Sequence, residues 1–161
     1  MDSKYYKTMA LDLGERRIGI ALSDLMGIIA SGLETYERKS INQDCEYISK
    51  LITKHGVKEI VVGLPKNMDG TSGERVEKTY AFCEVLKTYT DAKIVFYDER
   101  LTTVAAEKLL ISADVSRQKR KTVIDKLAAT IILQDYLNFN QRGKWNEQRR
   151  KKSNRIIIRR K

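Results

Sequence analysis

The chain has 161 residues, 42% of them hydrophobic and 32% charged, with a formal net charge of +10; that is the size and composition of one globular domain. A chain of this length buries roughly 70% of its unfolded surface, so neither a disulfide nor a metal is needed to hold it together. Its one histidine and one proline exclude a multi-histidine zinc site and allow a serine triad only with His55 as the base.

The first element is a strand in which Met9, Leu11 and Leu13 alternate with Thr8, Ala10 and Asp12. After Gly14-Glu15-Arg16-Arg17, Ile18, Ile20 and Leu22 alternate with Gly19, Ala21 and Ser23, so the two runs read as a hairpin. Residues 28–36 supply a third, less regular strand. Ser40-Ile41-Asn42-Gln43 is a capping-box pattern. It opens a helix in which Ile41, Cys45, Ile48 and Ile52 recur at helical spacing, and Gly56 closes it. His55, just before that glycine, reads as a helix-end residue facing the dipole and takes no role. Ile60-Val61-Val62-Gly63 is a continuous apolar run suited to a buried parallel strand. A loop over 64–73 leads to a helix with Val76, Tyr80, Cys83 and Leu86 on one face. A last strand over 93–97 runs into Asp98-Glu99-Arg100. Thr102 or Thr103 caps a helix over 104–111, and a final helix spans about 119–138.

The order β-β-β-α-β-α-β-α-α predicts an α/β fold, a mixed sheet with helices on both faces. The opening hairpin excludes a pure Rossmann fold, which needs a helix after its first strand. Residues 1–139 form the expected domain and 140–161 a flexible tail. Residues 142–161 hold ten Lys/Arg and one acid, Glu147, for a net +9, while residues 1–141 carry only +1. Such basic arms bind nucleic acid by neutralising phosphate, or simply solubilise a disordered end. Cys45 and Cys83 share no C-x-x-C spacing and read as small buried residues in a reducing cytosol. The N-terminal residues hold no apolar signal core, and the longest apolar run, 128–133, cannot span a membrane. The expected location is the cytoplasm.

Three acids stand in unusual positions. Asp12 lies within a strand, where Asp is depleted. Asp98 and Glu99 follow the last strand at its carboxyl end, where ligands of open α/β sheets gather. Asp125 shares a helical face with Ala128, Ala129 and Ile132, and the alanines let that face lie close to a sheet. Each acid has a structural alternative. Asp98 or Glu99 could cap the next helix, Asp125 could pair with Lys121 or Arg100, and Asp12 could accept N–H groups of its own turn. Taken together, acids on three elements suit a hard divalent cation such as Mg²⁺. Gly14 and Gly19 have the opening spacing of a P-loop, but Ile20-Ala21 stand where Lys and Ser/Thr would be. A hairpin turn and a close backbone approach at Gly19 is the simpler reading.

The text Ala10-Leu11-Asp12-Leu13-Gly14 with Arg17-Ile18-Gly19-Ile20-Ala21 resembles the YqgF/RuvX family. So do Val61-Val62-Gly63-Leu64-Pro65, Asn67-Met68-Asp69-Gly70-Thr71, Tyr97-Asp98-Glu99-Arg100-Leu101-Thr102-Thr103, and Lys121 with Ile124-Asp125 and Ala128-Ala129. The match runs in the expected order over 8–139 and leaves out the tail. This resemblance implies an RNase H-like fold with a five-stranded sheet ordered 3-2-1-4-5. It also implies Holliday junction resolution or 5′-end processing of pre-16S rRNA, with Asp12, Glu99 and Asp125 as catalytic metal ligands. RuvC-type resolvases carry their second acid after the fourth strand; here that place reads Gly63-Leu64-Pro65 and the acid follows the fifth.

The expectation is therefore a nuclease dependent on Mg²⁺ or Mn²⁺ acting on structured RNA or branched DNA, as a monomer or homodimer. Two such ions about 3.5–4 Å apart activate water and stabilise the leaving oxygen, so no histidine base is needed. Arg17, Arg100 and Lys121 are candidate phosphate contacts, and Arg17 and Arg100 are also candidate structural partners of the acids. The rival readings are a non-catalytic nucleic-acid-binding regulatory factor and, behind it, an actin-like ATPase, which would need a second such domain.

Overall fold

The computed structural model describes residues 5–64, 73–98 and 117–159, without the side chains at 117–124, 142 and 153–159. Strand β1 (Lys7–Leu13) turns into β2 (Arg17–Ser23), and β3 (Ala30–Glu37) follows. The turn closes by a bond from Gly14 N–H to the Arg17 carbonyl at 2.9 Å. Helix α1 (Ile41–His55) begins at Ser40, whose hydroxyl accepts the Gln43 N–H, and ends at Gly56 with φ 65. That left-handed conformation is easy only for glycine. Strand β4 (Val57–Leu64), helix α2 (Glu74–Leu86), strand β5 (Lys93–Asp98) and helix α3 (Arg117–Arg159) complete the order.

The five strands lie in the order β3-β2-β1-β4-β5. β1 pairs antiparallel with β2 and parallel with β4, so the sheet is mixed as expected. Period-two alternation gives it two buried faces. Met9, Leu11, Ile18, Ile20, Ile60 and Val62 pack with Cys45, Ile48, Phe82 and Leu86 of α1 and α2. On the other face Ala10, Ala21 and Val61 meet Ala129, Ile132, Leu133 and Leu137 of α3. Both cysteines are buried, and burial pushes Cys45 up to about 11 and Cys83 up to about 12, so both thiols stay protonated and inert.

Two expectations change. Tyr80 is 44% exposed, and Thr79 and Phe82 occupy the buried stripe of α2 instead. The last helix does not stop near 138 but runs to Arg159, 43 residues in all. Apolar periodicity tracks only the part that crosses the sheet. Beyond it, Gln, Lys and Arg are good helix formers, and Glu147 pairs with Lys151 one turn on. The expected helix over 104–111 and the loop residues 65–72 lie outside the described residues. Among the described residues, no helix is long and apolar enough to cross a membrane.

Candidate active site

Asp12 sits opposite Gly19 in the β1–β2 ladder. Paired residues share a face, so Asp12, Gly19, Ala10 and Ala21 all lie on the α3 side. Asp12 is 8% exposed, a carboxylate at the inner end of an apolar strand. The alanines and glycine leave that side of the sheet without bulk, and α3 fills the space with Ala128 and Ala129, both fully buried. The approach is closest at Gly19. A Cβ there would stand 1.8 Å from the Asp125 carbonyl oxygen and 2.3 Å from its carbon. The backbone of α3 therefore rests directly on β2 beside Asp12, and Asp125 is delivered to that spot.

Polar contacts fix the helix lengthwise. Arg17 Nε donates to Asp125 Oδ2 at 3.1 Å. Gln134 accepts from Ala30 N–H and donates to the Ile28 carbonyl, each at 2.9 Å. Tyr136 OH donates to Glu59 Oε1 at 2.8 Å. A slip of one residue along the sheet would break all four.

Arg17 and Asp125 are half-buried, with side-chain exposures of 32% and 21%. Burial pushes the Asp125 carboxyl above the usual carboxylate range, and the Arg17 hydrogen bond and charge pull it back only in part. The Nε bond uses one of five guanidinium N–H donors, so the same side chain has the chemistry to hold a phosphate. The turn carrying Arg17 is itself clamped. Arg38 donates through Nη1 to the Gly14 carbonyl at 2.8 Å and through Nε to Asp44 at 3.1 Å, and its backbone N–H bonds the Arg16 carbonyl. Its guanidinium also lies over the Phe82 ring, 5.3 Å from the centroid. Beside the turn, on the α1–α2 face, opens a cleft of about 650 Å³ with Arg16, Lys39, Arg75 and Lys78 on its wall.

Of the six residues expected at the site, the structure gathers Asp12, Arg17 and Asp125. Lys121 lies on α3 four positions before Asp125, one turn away on the same side of the helix. Glu99 and Arg100 lie outside the described residues. Asp98, in register with Leu64, shares the parity of Ile94 and Phe96, which pack toward α1 and α2, so it is off the face of Asp12. Among the described residues no three potential metal ligands cluster. Asp12 and Asp125 nonetheless fit a hard cation: both are oxygen donors, both are partly or wholly withdrawn from water, and Arg17 offsets the burial of Asp125 only in part. Sequence reasoning named Arg17 as a phosphate contact or as a partner of the acids, without saying which acid. It missed Arg38, whose partners are spread from Gly14 to Phe82 with no local motif.

A family model described as "RuvX: Holliday junction resolvase" matches residues 6–139. A protein of Carboxydothermus hydrogenoformans named "Putative pre-16S rRNA nuclease" is 53% identical over 137 residues, covering 85% of this chain and 99% of the relative. One of the same name from Clostridioides difficile is 53% identical over 133 residues, 83% of this chain and 94% of the relative. Among solved structures, Thermus thermophilus RuvC in complex with a Holliday junction substrate aligns with a TM-score of 0.56 at 9% identity, covering 86% of this chain and 96% of that one. The fowlpox virus resolvase bound to Holliday junction DNA gives 0.52 at 9% identity, covering 82% and 97%.

Proposed function

The chain belongs to the RuvX family of Holliday junction resolvases, on an RNase H-like fold, and from that membership we propose that it is a divalent-metal-dependent nuclease that trims the 5′ end of pre-16S rRNA. Nuclease activity follows from the family and from relatives near 53% identity that bear a nuclease name. Those names favour the ribosomal precursor. The likeness to junction-bound resolvases is at 9% identity and concerns the fold alone.

The observation that carries the reading is the close approach of α3 to β2 at Gly19. It sets a withdrawn carboxylate of the helix beside a withdrawn carboxylate of the central strand. Such an arrangement has a cost in a purely structural protein and a use in one that handles cations and phosphates. Asp12, Asp125 and Glu99 would hold Mg²⁺ or Mn²⁺, which when bound supplies a nucleophilic hydroxide at neutral pH and stabilises the leaving oxygen. Arg17 orients Asp125 by its 3.1 Å bond and neutralises it in the free protein. When substrate arrives, its remaining N–H groups turn to the phosphate beside the scissile bond, and Lys121 and Arg100 add further phosphate contacts. The rigid turn clamped by Arg38 keeps Arg17 aimed at that point.

Competition between two labelled substrates tests the choice. A 5′-extended 16S rRNA fragment and a four-way DNA junction are offered together with Mn²⁺. Preferential cutting of the rRNA at its 5′ extension is expected. Symmetric cutting of the junction with intact rRNA would assign the site to recombination instead. Specific binding without cutting of either would favour the regulatory factor.

A further inference from the structure

The part of α3 beyond the sheet lies outside the 6–139 match, and the site described above does not use it. The last described bond tying the helix to the rest of the domain runs from Gln141 Nε2 to the Gly27 carbonyl, in the β2–β3 connection, at 3.3 Å. Beyond it, residues 143–152 are all exposed. Between 142 and 159 the helix carries eight Lys/Arg against the single acid Glu147. Their distribution is one-sided. At about 100° per residue, positions 142, 144, 149, 151, 152, 155 and 159 fall within one half of the helix circumference. The opposite half has Gly143, Asn146, Glu147 and Asn154, with Arg150 as its one cation. Trp145 falls inside the basic half, 57% exposed, with the Arg149 guanidinium 4.5 Å above its ring. A half-cylinder of cations flanking an exposed tryptophan matches the continuous phosphate charge of a duplex better than the scattered carboxylates of an acidic protein.

We propose that this helical arm is a second nucleic-acid grip, holding the phosphate backbone of the substrate away from the cut. At 1.5 Å per residue, 142–159 lies about 25–50 Å along the helix from Asp125. Nucleic acid must extend at least that far from the scissile phosphate to meet both, or about 8–15 base pairs at 3.4 Å each. The arm thus selects for substrates with long duplex flanks, and the length of the helix sets the distance. The identity of the partner as nucleic acid rests on the nuclease reading, but the test reads binding and needs no cleavage.

The test uses the full chain with Asp12→Asn, to prevent cutting, and a second chain that also carries Lys144→Gln, Arg149→Gln and Lys152→Gln. Trp145 is the only tryptophan, so its fluorescence reports on the arm. A 30-base-pair duplex should change Trp145 emission in the first chain. If the three cations each meet a phosphate, the substitutions should flatten the salt dependence of log K by about 2.7, or about 40-fold in the affinity lost between 50 and 200 mM salt. A 6-base-pair hairpin, too short to bridge arm and site, should lose much less affinity, and Arg150→Gln should do little. Unchanged salt dependence with silent Trp145 would overturn the proposal, as would equal losses on both lengths. A blue shift of Trp145 on phosphatidylserine vesicles with no response to duplex would overturn it in favour of a membrane surface. Failure of the nuclease reading looks different: no cutting by the native chain, with the Trp145 response intact.

Discussion

Replacing Gly19 by alanine should cripple both the fold and the chemistry, for one geometric reason. The added Cβ would begin 1.8 Å from the Asp125 carbonyl oxygen and 3.0 Å from the Lys126 nitrogen. Both are backbone atoms of a helix held by Arg17, Gln134 and Tyr136, so no side-chain rotation relieves the clash. To reach even a tight 3.0 Å contact, α3 must retreat from β2 by about 1.2 Å. Overpacking of this kind costs about 1–3 kcal/mol. At roughly 2–4 °C per kcal/mol for a domain of this size, the melting temperature should fall by about 2–12 °C. The same retreat displaces Asp125 by about a further 1 Å from its place beside Asp12, and a misplacement of that size costs on the order of 100-fold in rate. Gly32→Ala is the control. Its Cβ would stand 2.7 Å from Lys126 Cγ and 3.2 Å from the Thr130 hydroxyl, both side-chain atoms, so its smaller clash can be relieved without driving the α3 backbone off β2. Thermal melts and initial cleavage rates of the two variants check the comparison. If Gly19→Ala melts and cuts like the native chain, α3 is not seated on β2 as described and the coupling of Asp12 to Asp125 is refuted.

Other substitutions probe the neighbouring groups. Because burial holds the Asp125 carboxyl above its ordinary range, the folded chain binds its proton more readily than the unfolded one. Stability should therefore fall as pH rises from the usual carboxylate range through that raised value. Asp125→Asn should lose this slope and melt at or above the native temperature in EDTA at neutral pH. A lower melt would mean that the Arg17 pair outweighs the burial. For the native chain, Mg²⁺ at tenfold its dissociation constant contributes roughly 1.4 kcal/mol, a rise of about 3–6 °C; the variant should barely respond. Glu99→Gln should abolish cleavage with the melt unchanged, whereas Asp98→Asn, on the α1–α2 side of β5, should keep it; the reverse would mean that the wrong neighbour was chosen. Arg38→Met deprives Asp44, which is 1% exposed, of its cation and should cost about 3 kcal/mol, read as a drop of roughly 6–12 °C. An unmoved melt would show that the Lys39 N–H at 2.9 Å and the Tyr36 hydroxyl satisfy Asp44 without Arg38.

What could be read from the sequence was what local chemistry determines. Ser40 and Gly56 bounded α1 because a hydroxyl cap and a left-handed glycine leave short-range signatures. Gly14 marked the hairpin, and Ala128-Ala129 announced a helix that lies close to a sheet. The close approach at Gly19 was also legible, since a glycine inside an apolar strand needs a reason. Its partner was not, because Asp125 is more than a hundred residues away and nothing local names it. The same holds for Arg17, which bonds across 108 positions to an acid whose expected partners were Lys121 or Arg100. Spacing alone puts Tyr80 in the core, but at the edge of the stripe α2 is better served by Phe82. The length of α3 is not legible in the apolar pattern because hydrophobic periodicity ends where the sheet ends, while helix propensity and the Glu147–Lys151 pair do not.

The central claim is that Asp12 and its neighbouring carboxylates make this chain a metal-dependent nuclease. It is tested most directly by incubating an end-labelled, 5′-extended 16S rRNA fragment with the native chain and with Asp12→Asn. Each is assayed in Mn²⁺, in Mg²⁺ and in EDTA, with circular dichroism to show that both are folded. The account predicts discrete cutting by the native chain with a divalent ion, none in EDTA, and none by the variant under any condition. Cutting in EDTA, or an Asp12→Asn chain that cuts at the native rate, would contradict it.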